Sequence, residues 1–128
     1  MMASMRLRGA TIYAKDLPRM KSFYRDVLGL KTIGATEIDN YVEFDAGTAT
    51  LALHAIPGPI AEKVEIASPP VPRENNTLKL TFEVEDVARE RKRLEDLGVT
   101  IVERPWGACD GIDPEGNIFG LTSPSSNM

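Results

Sequence analysis

Asp16-Leu17-Pro18-Arg19-Met20-Lys21-Ser22-Phe23-Tyr24-Arg25-Asp26-Val27-Leu28-Gly29-Leu30 is the stretch on which the reading of the fold turns. Asp16 is suited to an N-cap, because its short carboxylate accepts a hydrogen bond from an orphan N–H of the first turn. Pro18 is tolerated there, where no intrahelical donor is yet needed. Leu17, Met20, Phe23, Tyr24, Val27 and Leu28 recur at helical spacing and fall on one side of a cylinder, with Lys21, Ser22, Arg25 and Asp26 toward water. Gly29 stands where a left-handed residue ends a helix, so an amphipathic helix is expected from the Asp16 cap to Leu28.

The same pattern occurs a second time. Val84-Glu85-Asp86-Val87-Ala88-Arg89 through Leu97-Gly98-Val99 aligns Asp86 with Asp16 and Gly98 with Gly29, with one residue fewer in the second copy. Asp45-Ala46-Gly47 followed by Thr50-Leu51-Ala52-Leu53 is echoed by Asp113-Pro114-Glu115-Gly116-Asn117 followed by Ile118-Phe119-Gly120-Leu121, at an offset of 68 positions. Two copies of one unit are therefore expected.

Strand alternation fills in each unit. Arg8–Lys15 alternates around Ile12 and Ala14 and feeds the first helix; Leu30–Ala35, Asn40–Phe44 and Thr48–Ala55 follow, the last two joined by a turn at Asp45-Ala46-Gly47. In the second copy, Thr77–Glu85 alternates most cleanly, then come a helix over Val87–Leu97, a strand over Val99–Arg104, an irregular Trp106–Gly111 segment and a strand over Asn117–Thr122. Each unit reads βαβββ. The domain plan is one domain over 1–128, built of a first module over 7–55, a linker over 56–76 and a second module over 77–123. That linker holds five of the nine prolines and is expected to form no helix longer than a turn or two; Ser123–Met128 reads as a frayed tail.

Composition bounds the function. The chain has 128 residues, 42% hydrophobic and 27% charged, enough for a compact core and not a disordered composition. A net charge of −4 argues against a nucleic-acid partner, and the run Arg89–Arg93, interrupted by Glu90 and followed by Glu95 and Asp96, reads as a solvated helix face. The single Cys109 forms no intrachain disulfide, residues Met1–Ala10 lack the apolar stretch of a signal peptide, and no run is long enough to span a bilayer. A cytoplasmic protein without membrane partners is the expectation.

Successive strand side chains point to opposite faces, which sorts the residues. Ile12/Ala14, Leu51/Leu53, Leu78/Leu80/Phe82/Val84 and Phe119/Leu121 are expected against the helices. Gly9, Thr11, Tyr13, Tyr41, Glu43, Thr50, Ala52, His54, Lys79, Thr81, Glu83, Ile118 and Gly120 are expected on the opposite, more polar face.

At Phe23-Tyr24-Arg25-Asp26-Val27-Leu28-Gly29-Leu30 and Asp113-Pro114-Glu115-Gly116-Asn117, the sequence resembles the vicinal oxygen chelate superfamily of glyoxalase I, bleomycin-resistance proteins, fosfomycin-resistance enzymes and ring-cleaving dioxygenases. The resemblance spans Leu7–Leu121, linker excepted. It implies an α+β fold of two paired βαβββ modules forming an open-barrel cleft, usually within a homodimer. It also implies metal ligands seven residues before each helix-capping Asp and seven after each hairpin Asp, which here fall on Gly9, Ala52, Lys79 and Gly120. Glycine and alanine carry no donor and a lysine ammonium no lone pair, so no metal, no cofactor and no metal-dependent family chemistry are expected.

The candidate ligand-binding set is Tyr13, Tyr41, Glu43, His54, Lys79, Glu83 and Trp106. His54, the only histidine, reads as a hydrogen-bonded or rim residue, as a ligand-contacting or acid/base group, or as a metal ligand partnered by Glu43 or Glu83. Lys79 either meets a carboxylate or enolate oxygen of a ligand or neutralises Glu83 or Glu43, with the latter preferred. Tyr13 and Tyr41 either contact an aromatic ligand or fill space, and Trp106 either caps the barrel end or walls the cleft. Cys109 reads as a packed side chain rather than a nucleophile. Asp16 and Asp86 read as caps and Asp113–Asn117 as a tight turn, with no site role.

The function expected is metal-free binding or sequestration of a small aromatic or cationic molecule in a dimer cleft. The alternatives are a glyoxalase-type lyase or isomerase, with a relocated metal or a metal-free set such as His54, Glu43 and Glu83, and a partner-binding module with a vestigial cleft.

Overall fold

A computed structural model describes residues 5–124; the expected tail beyond Pro124 lies outside them. The chain forms two compact units, the first ending at Glu65 and the second beginning at Ile66.

The first unit runs β1 (Gly9–Ala14), α1 (Leu17–Ser22), β2 (Lys31–Thr32), β3 (Tyr41–Asp45), β4 (Thr50–Ala55) and a single helical turn α2 (Gly58–Ala61). The strands form one sheet in the order β1-β4-β3-β2, with β1 parallel to β4 and the other pairs antiparallel. Asp16 caps α1 as expected, accepting from the Arg19 N–H at 3.1 Å. Past Ser22 the helix widens into a π-helical turn over Phe23–Val27, closed by the Leu28 N–H on the Phe23 carbonyl at 3.0 Å. The extra residue of this copy is thus absorbed as a bulge inside the helix, and Gly29 still ends it at φ +79°. Met20 and Tyr24 of the helix and Val42, Phe44, Leu51 and Leu53 of the sheet are almost wholly buried, each worth roughly 1.5–3 kcal/mol of removal from water.

The second unit runs β5 (Leu80–Glu83), α3 (Val87–Asp96), β6 (Ile101–Glu103), β7 (Cys109–Ile112) and β8 (Ile118–Thr122), in the order β5-β8-β7-β6, again with the first pair parallel and the rest antiparallel. Asp86 caps α3 through the Arg89 N–H at 3.0 Å. Two local expectations change. The strand read over Thr77–Glu85 is confined to Leu80–Glu83, because its first ladder pair is Leu80 with Phe119; Leu78 precedes that pairing and is 83% exposed instead of packed. The segment Trp106–Gly111, irregular by composition, contains the start of β7. Cys-Asp-Gly is a poor strand former, but tertiary fit overrides propensity: a Cβ on Gly111 would lie 2.7 Å from the Phe119 ring, so only glycine lets that ring pack across the ladder.

Asp113-Pro114-Glu115-Gly116-Asn117 is the tight turn expected. Asp113 Oδ1 accepts from the Glu115 and Asn117 N–H groups at 2.9 and 3.0 Å, and Gly116 takes φ +85°. The proline-rich stretch is pinned to this turn, with the Arg73 N–H on the Gly116 carbonyl and Arg73 Nε on the Glu115 carbonyl, both at 2.9 Å.

Candidate functional site

In the first unit, the sheet face turned away from α1 is set by register. Tyr13, His54 and Tyr41 are direct partners across β1, β4 and β3, and Thr11, Ala52 and Glu43 form the next row. The rings follow: Tyr13 and His54 centroids lie 5.4 Å apart with planes tilted by 44°, and Tyr41 meets His54 edge-on at 5.9 Å. The Tyr41 hydroxyl donates to Glu43 Oε2 at 2.6 Å, and the Thr36 hydroxyl to Glu43 Oε1 at 2.9 Å. Arg8 stands 3.9 Å from the same carboxylate. The Tyr41 and Thr36 hydrogen bonds hold the Glu43 carboxyl below its ordinary value, against the opposing effect of desolvation. Reciprocally, the bond to Glu43 pushes the Tyr41 phenol up. Four of the seven sequence-derived site residues, Tyr13, Tyr41, Glu43 and His54, therefore form one cluster.

The other three are arranged differently. Lys79 precedes β5 and donates to Asp110 Oδ1 at 3.2 Å, so its partner is Asp110 rather than the expected Glu83 or Glu43. Asp110 is 1% exposed and also accepts from Arg104 Nε at 2.8 Å; Arg104 in turn grips Glu74 with both terminal nitrogens, at 2.8 and 3.1 Å. These two carboxylates drive the Arg104 guanidinium pKa upward. Glu83 is exposed on β5. Trp106 is 71% exposed in the β6–β7 loop with the Arg104 guanidinium over its ring at 5.8 Å, a cation–π contact the sequence did not suggest. Burial pushes the Cys109 thiol up, which suits a packed side chain.

Arg8, Thr36, Arg104 and Asp110 are the residues the sequence did not reveal. Asp110 had a signal. Counted back through its hairpin it pairs with Gly120, just as Glu43 pairs with Ala52, but the two hairpins differ by one residue and the 68-residue offset hides the match.

The four positions where the superfamily draws metal ligands do not fit a metal. A Cβ on Gly9 would lie 1.9 Å from the Thr50 carbonyl oxygen, leaving no room for any side chain. A Cβ on Gly120 would meet Asp110 Oδ1 at 3.1 Å and Lys79 Cε at 3.5 Å, so an ion pair fills that space. Among the described residues, no three His, Cys, Asp or Glu side chains converge as a metal-binding group. No described helix is long and apolar enough to cross a membrane.

Residues 6–119 match the family described as Glyoxalase/Bleomycin resistance protein/Dioxygenase superfamily. No curated protein matches the chain. Among solved structures, a lactoylglutathione lyase from Agrobacterium tumefaciens is 26% identical, with 95% of each chain covered and a TM-score of 0.64. A glyoxalase/bleomycin resistance protein/dioxygenase family enzyme from Burkholderia phytofirmans is 20% identical over 93% of this chain and 98% of that one, with a TM-score of 0.69. A fosfomycin resistance protein from Mesorhizobium loti is 20% identical over 94% and 91%, with a TM-score of 0.63.

Proposed function

The chain belongs to the glyoxalase/bleomycin resistance protein/dioxygenase superfamily, and on that premise we propose that it binds a small aromatic or cationic molecule without a metal, using the Tyr13–His54–Tyr41 face and its neighbour Glu43. The observation that carries this reading is the juxtaposition itself. Three rings at centroid spacings of 5.4 and 5.9 Å border a carboxylate held in its charged form. Ring faces attract a planar or cationic guest, and the carboxylate adds charge complementarity. The net charge of −4 suits the same guest. Sequestration rather than turnover is favoured by the side-chain chemistry at Gly9, Ala52, Lys79 and Gly120. The working form is a homodimer in the cytoplasm.

A second reading, a glyoxalase-type lyase or isomerase acting through His54 and Glu43, draws on the 26% identity to a lactoylglutathione lyase. Calorimetric titration of aromatic and cationic compounds into wild type, Tyr41→Ala and Glu43→Gln, together with elemental analysis of the purified protein, separates the two. Metal-free protein whose binding weakens in the variants supports sequestration. About one metal per chain, lost in His54→Ala, supports the enzyme. Light scattering tests the dimer, and a 14.1 kDa particle at micromolar concentration would contradict it.

A further inference from the structure

His54 Nδ1 lies 2.8 Å from the carbonyl oxygen of Ala55. A carbonyl oxygen has no proton to give, so Nδ1 must carry the hydrogen and donate it. In the neutral ring this leaves Nε2 with a bare lone pair, and among the described residues nothing donates to it. The neighbouring groups have the same bias. The Tyr41 proton is committed to Glu43, leaving the phenol oxygen free only to accept, and Glu43 is an ionised acceptor. The Tyr13 hydroxyl, on a residue 61% exposed, is not committed to a described partner.

We infer that His54 presents Nε2 as a hydrogen-bond acceptor between Tyr13 and Tyr41, and that this face therefore selects aromatic guests bearing N–H donors, such as arylalkyl ammonium ions, over guests of equal charge that lack them. The inference rests on the binding reading above and narrows it. Charge and ring stacking alone do not distinguish an ammonium from a quaternary ammonium, whereas a bare imidazole nitrogen does.

The test uses naphthylmethylammonium and its N,N,N-trimethyl analogue, titrated calorimetrically at about pH 8. The primary ammonium is expected to bind about tenfold more tightly, the effect of one good hydrogen bond. That preference should shrink several-fold in His54→Phe, which keeps a ring but loses this acceptor while Glu43 and the Tyr41 oxygen remain, and persist in His54→Gln, which restores an acceptor near the Nε2 position. Equal affinities for wild type overturn the donor-selection inference and leave the aromatic-cation reading standing; no binding of either compound overturns both. A measurement without any variant stands beside these. Because His54 is the only histidine, ¹⁵N-histidine labelling gives one imidazole spin system, expected to show the proton on Nδ1 and an Nε2 shift on adding naphthylmethylammonium. A proton on Nε2 in the free protein would overturn the inference.

Discussion

Asp110 occupies in the second unit the place that Glu43 occupies in the first: each lies on the strand antiparallel to the last strand of its unit, opposite a residue too small to crowd it, Gly120 and Ala52 respectively. Both carboxylates are buried, at 1% and 8% exposure, yet their surroundings differ in kind. Asp110 is matched by two cations, Lys79 and Arg104, whereas Glu43 is held by two hydroxyls with one arginine at the limit of contact. A repeated position has become a closed ion network in one unit and a negatively charged aromatic face in the other.

Removing Asp110 should cost more stability than removing Glu74, although both bind Arg104. The Asp110 side chain is 2% exposed and its loss leaves two cations without their buried partner, whereas that of Glu74 is 60% exposed and water replaces it. Chemical denaturation of Asp110→Ala and Glu74→Ala checks this order. Equal losses would mean that the buried network contributes no more than a surface pair.

The Tyr41–Glu43 hydrogen bond should shape stability at both ends of the pH range. Glu43 titrates below its ordinary 4.5 in the fold, so its contribution is complete above that value and fades as pH falls through the lowered one. Tyr41 titrates above its ordinary 10.0, so its contribution is complete below that value and fades as pH rises through the raised one. Wild type should therefore exceed Tyr41→Phe by a constant margin near neutrality, and the margin should narrow in acid and in alkali. A margin independent of pH would contradict the assignment.

Gly47 and Gly116 share a positive φ, +86° and +85°, but only Gly116 is crowded: a Cβ there would meet the Val71 carbonyl oxygen at 2.3 Å, whereas at Gly47 nothing lies within 4 Å. Gly47→Ala should lose about 1 kcal/mol, the cost of the left-handed conformation alone. Gly116→Ala should lose more and loosen the linker residues pinned through Arg73. Thermal unfolding with amide exchange at Arg73 reads both effects.

Asp16→Ala and Asp86→Ala should each cost about 1 kcal/mol, as N-cap losses do, with no effect on guest binding. Impaired binding in either variant with intact folding would place a cap carboxylate in the site.

The features most legible in the sequence were those set by short-range chemistry. The Asp caps, the Gly29 stop, the Asp113–Asn117 turn and the alternation that put Tyr13, Tyr41, Glu43 and His54 on one face all depend on residues within a few positions of one another. What stayed hidden depended on partners distant in the chain. The Phe119 ring packs over Gly111 from the other strand of its hairpin, and Lys79 finds Asp110 across 31 positions of sequence. The π-helical turn at Phe23–Val27 announced itself only as a one-residue mismatch between the copies, and nothing local says whether such a residue lengthens a loop or bulges a helix.

If the Tyr13–His54–Tyr41 face with Glu43 is the binding surface, its backbone amides respond as naphthylmethylammonium is titrated into ¹⁵N-labelled protein. Saturable shifts centred on Thr11, Tyr13, Tyr41, Glu43, Ala52 and His54 are expected. Saturable shifts that leave these six amides in place, or no shifts at all, would contradict it.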